Sequence, residues 1–106
     1  MVKNLRAALV RAGELEVDLD RYEVHVKSRP VTLRPKEFQF LKCLIQADGR
    51  ALTRDQILEK VWGYDKSVEI DTNTVDQHIA RMREKLGPEA GRIVTVKNVG
   101  YRFKAA

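Results

Sequence analysis

Apolar residues recur along this chain with two periods, and the switches between them divide it into elements. Leu5, Ala8, Leu9 and Ala12 follow an i, i+3, i+4, i+7 spacing and Gly13 stands where a helix would end, which predicts a short helix up to Ala12. Leu15, Val17 and Leu19, then Tyr22, Val24 and Val26, then Val31 and Leu33 alternate with polar neighbours. With Ser28-Arg29-Pro30 as a turn, this predicts a three-stranded antiparallel meander, apolar on one side. Pro35 suits the first turn of a helix, and Phe38, Leu41, Leu44 and Ile45 then repeat at helical spacing until Gly49, predicting a first core helix over residues 35–47. Thr53 and Gln56 match a capping box ahead of Ile57, Leu58, Val61 and Trp62, so a second, short helix ends near Trp62-Gly63. Thr74 and Gln77 form another such pair, and Val75, Ile79, Met82 and Leu86 then make an apolar stripe that stops at Gly87-Pro88. Ile93, Val94 and Val96 precede Asn98-Val99-Gly100, and Tyr101 and Phe103 alternate with Arg102 and Lys104, as in a hairpin with a glycine-containing turn.

This order predicts an α+β fold: an N-terminal antiparallel sheet, three helices and a C-terminal β-hairpin, the arrangement of a winged helix-turn-helix. In a helix-turn-helix the last helix lies in the major groove while the preceding one braces it. At 100° per residue the stripe of the third helix centres about 210° from Asn73, leaving Asn73, Gln77, Ala80, Arg81 and Glu84 on the opposite side. Amides can pair with a base edge, alanine can meet a thymine methyl, and arginine can grip guanine or phosphate. Strand alternation is expected to put Thr95, Lys97, Arg102 and Lys104 on the hairpin face opposite Val94, Val96, Tyr101 and Phe103, making a basic wing for minor groove and backbone. The alternative is a winged-helix protein–protein interaction module, which would need an apolar or acidic outer face on the third helix.

Charge sharpens the choice. The chain carries a formal +5, and residues 81–106 hold seven basic side chains against Glu84 and Glu89, whereas residues 53–80 hold three basic against six acidic. No apolar run approaches the roughly 20 residues a membrane span needs, so no membrane partner is expected. Met1-Val2-Lys3-Asn4-Leu5 lacks the pattern of a secretory signal and Cys43 is the single cysteine, so the expected location is cytoplasmic and reduced. An enzyme is not expected, because no nucleophile–base pair, phosphate loop or metal cluster is visible, and neither cofactor nor metal is called for. Cys43 reads as an inert, semi-buried thiol, and His25 and His78 have no ligand partner at metal spacing. Trp62, at a helix end, reads first as packing and second as an exposed partner contact.

Four motifs carry a resemblance. Lys36-Glu37-Phe38, Val61-Trp62-Gly63-Tyr64, the string from Thr74-Val75-Asp76-Gln77 through Ile79-Ala80-Arg81-Met82-Arg83-Glu84-Lys85-Leu86, and Val94-Thr95-Val96-Lys97-Asn98-Val99-Gly100-Tyr101-Arg102-Phe103 resemble the effector domains of OmpR/PhoB-family response regulators. The resemblance spans residues 14–104, and residues 5–9 are similar to the end of the last receiver-domain helix. It divides the chain into residues 1–13, a helix end or linker, and residues 14–106, the DNA-binding domain. It implies that Thr74, Gln77, Arg81 and Arg83, beside Asn73, face DNA, that Thr95 and Lys97 hold phosphate or minor groove with Arg102 on the same wing, and that copies bind promoter direct repeats. It also implies a loop at residues 62–72, with Trp62, Gly63, Tyr64 and Lys66, that touches RNA polymerase. A covalently linked receiver domain and a sensor kinase acting on it by phosphorelay complete the implied two-component system. Asn73 and Ala80 stand where many relatives carry arginine, Asn98 where glycine is usual, and Arg34 where a serine or threonine cap is expected.

Overall fold

A computed structural model of the protein describes residues 8–63 and 73–105. Strands β1 (Leu9–Ala12), β2 (Leu15–Asp18), β3 (Glu23–Val26) and β4 (Arg29–Val31) form an antiparallel sheet in sequential order. Helices α1 (Pro35–Gln46), α2 (Arg54–Trp62) and α3 (Asn73–Leu86) follow, and a 3-10 turn at Gly87–Arg92 leads into a hairpin of β6 (Ile93–Val96) and β7 (Gly100–Phe103). A two-residue strand, β5 (Leu52–Thr53), pairs with β7 and makes the hairpin three-stranded in the order β5-β7-β6. The expected winged helix-turn-helix is present, with one strand more in each sheet than the periodicity indicated.

The extra N-terminal strand corrects the last turn of the helix expected before Gly13: Ala8 is helical, but Leu9–Ala12 are strand. Leu9–Ala12 pairs residue by residue with β2, Ala12 opposite Leu15 and Leu9 opposite Asp18. Gly13 has φ +57, and this left-handed glycine is the reason for the misreading, because it serves a helix C-terminus and a two-residue hairpin turn equally well. Residues 5–7 lie outside the described residues, and the sheet starts before the division expected after Gly13. The second turn also falls earlier than expected. Lys27 and Ser28 both adopt positive φ, 52° and 65°, as a two-residue hairpin turn requires, so Arg29 and Pro30 belong to β4 rather than to the turn. Pro30 is tolerated there because β4 is an edge strand.

One continuous core joins the parts. Leu15, Val17, Val24 and Val26 of the sheet meet Phe38, Leu41 and Leu44 of α1, and the far side of α1 meets Ile57, Val75, Ile79, Met82, Ile93 and Phe103. Being covered on two sides, α1 buries a wider arc than its apolar stripe suggested: Phe40, Cys43 and Glu37 are buried as well. Glu37 is fully buried and its Oε1 accepts from Lys85 Nζ of α3 at 2.7 Å and from the Arg34 backbone N–H at 2.8 Å. That second bond closes the first turn of α1 from within, so the helix starts without a serine or threonine at position 34. Burial pushes the Glu37 carboxyl upward, but the Lys85 ammonium and the Arg34 N–H outweigh it and hold the group below its ordinary range.

Candidate nucleic-acid interface

The capping box that starts α2 is formed as expected: Gln56 N–H donates to Thr53 Oγ1 at 3.1 Å and Thr53 N–H to Gln56 Oε1 at 2.8 Å. The one expected at Thr74 is not, because α3 already includes Asn73, which places Thr74 inside its first turn, half-buried, with its carbonyl 2.8 Å from His78 Nδ1. Along α3 the stripe Val75, Ile79, Met82 and Leu86 is buried, and Asn73, Gln77, Ala80, Arg81 and Glu84 are exposed. The outward face therefore carries the amides and the arginine that the helical wheel put there.

The hairpin differs from expectation. Val94 pairs with Arg102, Thr95 with Tyr101 and Ile93 with Phe103, and directly paired residues share a face of an antiparallel ladder. Thr95 thus lies with Tyr101, and Arg102 with Val94 and Val96. The error came from running strand alternation through the connection as though it left the two strands in phase. Three residues, Lys97, Asn98 and Val99, link the paired Val96 and Gly100, all three are exposed, and Val99 N–H donates to Val96 O at 3.0 Å. Asn98, not glycine, takes the left-handed position, with φ 65°, which asparagine accepts more readily than most side chains. Gly100 is needed for another reason: a Cβ there would lie 2.0 Å from Leu52 O, so only glycine lets β7 approach β5. Half-buried Arg102 lines a cavity of about 500 Å³ with Val10, Ile45, Asp48 and Lys104, on the side of the hairpin away from Thr95.

Arg83 is half-buried at the junction of α3 and the hairpin. Its Nε and Nη2 donate to Ile93 O at 3.1 and 2.7 Å, Nη2 also donates to Thr95 Oγ1 at 2.8 Å, and the guanidinium sits 5.5 Å from the Tyr101 ring centre. Seven residues earlier on α3, Asp76 Oδ1 accepts from Arg54 Nε at 2.8 Å and from the Tyr101 hydroxyl at 2.5 Å. Burial raises the Asp76 carboxyl, but the phenol and the guanidinium prevail and lower it, while burial and that carboxylate raise the Tyr101 phenol. Sequence reasoning missed this cluster. Its one visible signal was Asp76 and Arg83 on the same flank of the α3 stripe, seven residues apart.

Trp62 is half-buried, edge-on to Phe40 and His78 with ring centres at 5.4 and 5.8 Å, and Lys36 Nζ lies 5.3 Å above it while donating to Val61 O. Packing is its role here. Gly63 is exposed with φ 76°, and Tyr64 and Lys66 lie outside the described residues. Cys43 Sγ donates to Phe40 O, and burial pushes its thiol up to about 11, which disfavours the thiolate.

A helix-turn-helix formed by α2 and α3, with a hairpin fastened to the flank of α3, defines a winged helix. The chain matches the family described as "Transcriptional regulatory protein, C terminal" over residues 28–103 and belongs to it. It is 38% identical over 103 residues to the phosphate regulon transcriptional regulatory protein PhoB of Rhizobium meliloti, covering 93% of this chain and 44% of that protein. It superposes on response regulator DrrB, a Thermotoga maritima OmpR/PhoB homologue, with a TM-score of 0.81 at 29% identity, over 97% of this chain and 49% of the other. On the Klebsiella pneumoniae RstA DNA-binding domain, solved in complex with RstA box, the TM-score is 0.77 at 31% identity, over 92% of this chain and 98% of that one. The chain spans less than half the length of the PhoB relative it matches. The OmpR/PhoB resemblance is thereby borne out. Among the described residues no helix is long and apolar enough to cross a membrane.

Proposed function

We propose that this chain is the sequence-specific, double-stranded DNA-binding effector of a two-component response regulator that controls transcription. The carrying observation is the exposed row Asn73, Gln77 and Arg81 on α3, beside a hairpin whose tip presents Lys97. Residues 73–86 enter the major groove. There Gln77 meets a base edge, Arg81 guanine or phosphate, and Thr74 and Asn73 the nearby backbone. The hairpin lies along minor groove and phosphates through Lys97 and Thr95, whose hydroxyl keeps its proton to donate while its oxygen accepts from Arg83. Arg83 acts from behind that contact, and Arg102 reaches backbone only at the outer edge of the wing.

The remaining parts of the reading rest on family membership. They are a covalently linked receiver domain phosphorylated by a sensor kinase, binding of copies to promoter direct repeats, a cytoplasmic location, no enzymatic activity in this unit, and contact of residues 62–72 with RNA polymerase. Selection on random duplex DNA, followed by binding of Gln77→Ala, tests the core of it. The expected result is an enriched operator at which Gln77→Ala relaxes one or two positions by about 1–3 kcal/mol while leaving scrambled DNA nearly unaffected. Equal weakening on operator and scrambled duplexes would remove α3 from the major groove, and no enrichment with a flat salt response would favour a protein-docking module.

A further inference from the structure

Tyr101 is surrounded by charged groups from two helices. Its hydroxyl is held by Asp76 near the start of α3, and its ring has the guanidinium of Arg54, from the first turn of α2, at 5.6 Å and that of Arg83, two turns further along α3, at 5.5 Å. Arg54 in turn binds the same Asp76 oxygen, and Arg83 binds both Ile93 O and Thr95 on the strand paired with Tyr101. A hairpin fastened to a helix at one point can swivel about it. Here the two attachments, Asp76 and Arg83, are seven residues apart, about 10 Å along the helix axis, so the hairpin is held against rotation as well as translation. The close approach of Gly100 to Leu52 O removes sliding along β5 as an escape. α3 itself is anchored to the core by Val75, Ile79, Met82 and Leu86, so any looseness at this junction would be felt by the wing and not by the recognition helix.

We propose that Asp76, Tyr101 and Arg83 are positioning residues that set the angle between wing and recognition helix, so that Lys97 reaches DNA as part of the same rigid body that places Gln77. The inference rests on the DNA-binding reading. Rigid linkage raises the effective concentration of the second contact once the first is made, and a loosened joint lowers it without altering either contact. Breaking the clamp should therefore shrink what Lys97 contributes and leave what Gln77 contributes intact.

The test is a pair of double-mutant cycles on the selected operator, using the 106-residue chain. Tyr101→Phe keeps the ring and removes the hydroxyl's donation to Asp76, and Asp76→Asn keeps the shape and removes the charge, so either can serve if the other fails to fold. Wild-type binding to the operator establishes the underlying reading first; without it the DNA assignment fails before the clamp is in question. The expected result is that Lys97→Ala weakens binding about fivefold or more in the wild-type background but only about twofold with Tyr101→Phe or Asp76→Asn, while the penalty of Gln77→Ala is the same in all backgrounds. A Lys97→Ala penalty unchanged by both clamp variants would overturn the proposal, since the cluster would then support the fold alone. Equal shrinkage of the Lys97 and Gln77 penalties would overturn it as well, because it would mean that the whole domain, not the wing, had loosened.

Discussion

The two sides of the C-terminal third are built from the same residue types and use them in opposite ways. On the inner side, Lys85 is bound to buried Glu37, Arg83 to Ile93 O and Thr95, and Arg92 to Glu89 at 2.8 Å and to the carbonyls of Lys104 and Ala105. On the outer side, Arg81 and Lys97 are exposed. Of the seven cations in residues 81–106, three hold the fold, so the net charge of this segment overstates what can meet a polyanion. Composition locates a nucleic-acid surface; only the partners of each cation say which of them belong to it.

Removing an inner cation should cost most. Lys85→Ala leaves Glu37 buried without its counter-charge and should lower stability by about 3 kcal/mol at neutral pH. The folded value of Glu37 lies below its ordinary 4.5, so its contribution is complete above that value and is lost as pH falls through the folded one. In Lys85→Ala the sign reverses, since a protonated Glu37 needs no counter-charge, and the penalty should shrink on acidification. Denaturant melts of both proteins between neutral pH and about pH 4 check this, and a pH-independent penalty would mean that Lys85 acts through packing alone. Gly100→Ala should follow, at about 2–3 kcal/mol, because its Cβ would overlap Leu52 O and part β5 from β7. Arg83→Ala should cost about 1–2 kcal/mol for its charge-assisted bonds. Arg81→Ala, on the outer side, should stay within about 0.5 kcal/mol of the parent. If Arg81→Ala destabilises as much as Arg83→Ala, the division into inner and outer cations fails.

The same contrast explains how much was legible beforehand. The exposed face of α3 could be read because helical periodicity is local: four apolar residues fix where Gln77 and Arg81 point. The inner cluster could not, since Asp76 lies 22 residues from Arg54 and 25 from Tyr101, and the three meet only after the hairpin folds back. Glu37 offered a clue that periodicity alone does not decode. It shares a helical face with Leu41 and Leu44, and a carboxylate at a core position implies a buried partner without naming Lys85. Leu9–Ala12 was misread because one left-handed glycine fits both a helix end and a hairpin turn. The faces of β6 and β7 were misassigned because their relation depends on the loop between them, and a shift of one residue exchanges the faces.

Arg81 and Lys85 are four residues apart on one helix and carry the same charge, but Lys85 is bound to buried Glu37 whereas Arg81 belongs to the exposed row assigned to DNA. Salt dependence of operator binding for Arg81→Ala and Lys85→Ala, each measured well below its unfolding temperature, therefore tests the central assignment directly. The slope of log K against log salt should fall in magnitude by about 0.9 for Arg81→Ala and stay at the parent value for Lys85→Ala. An unchanged slope for Arg81→Ala beside a reduced one for Lys85→Ala would contradict the placement of the outer face of α3 against DNA.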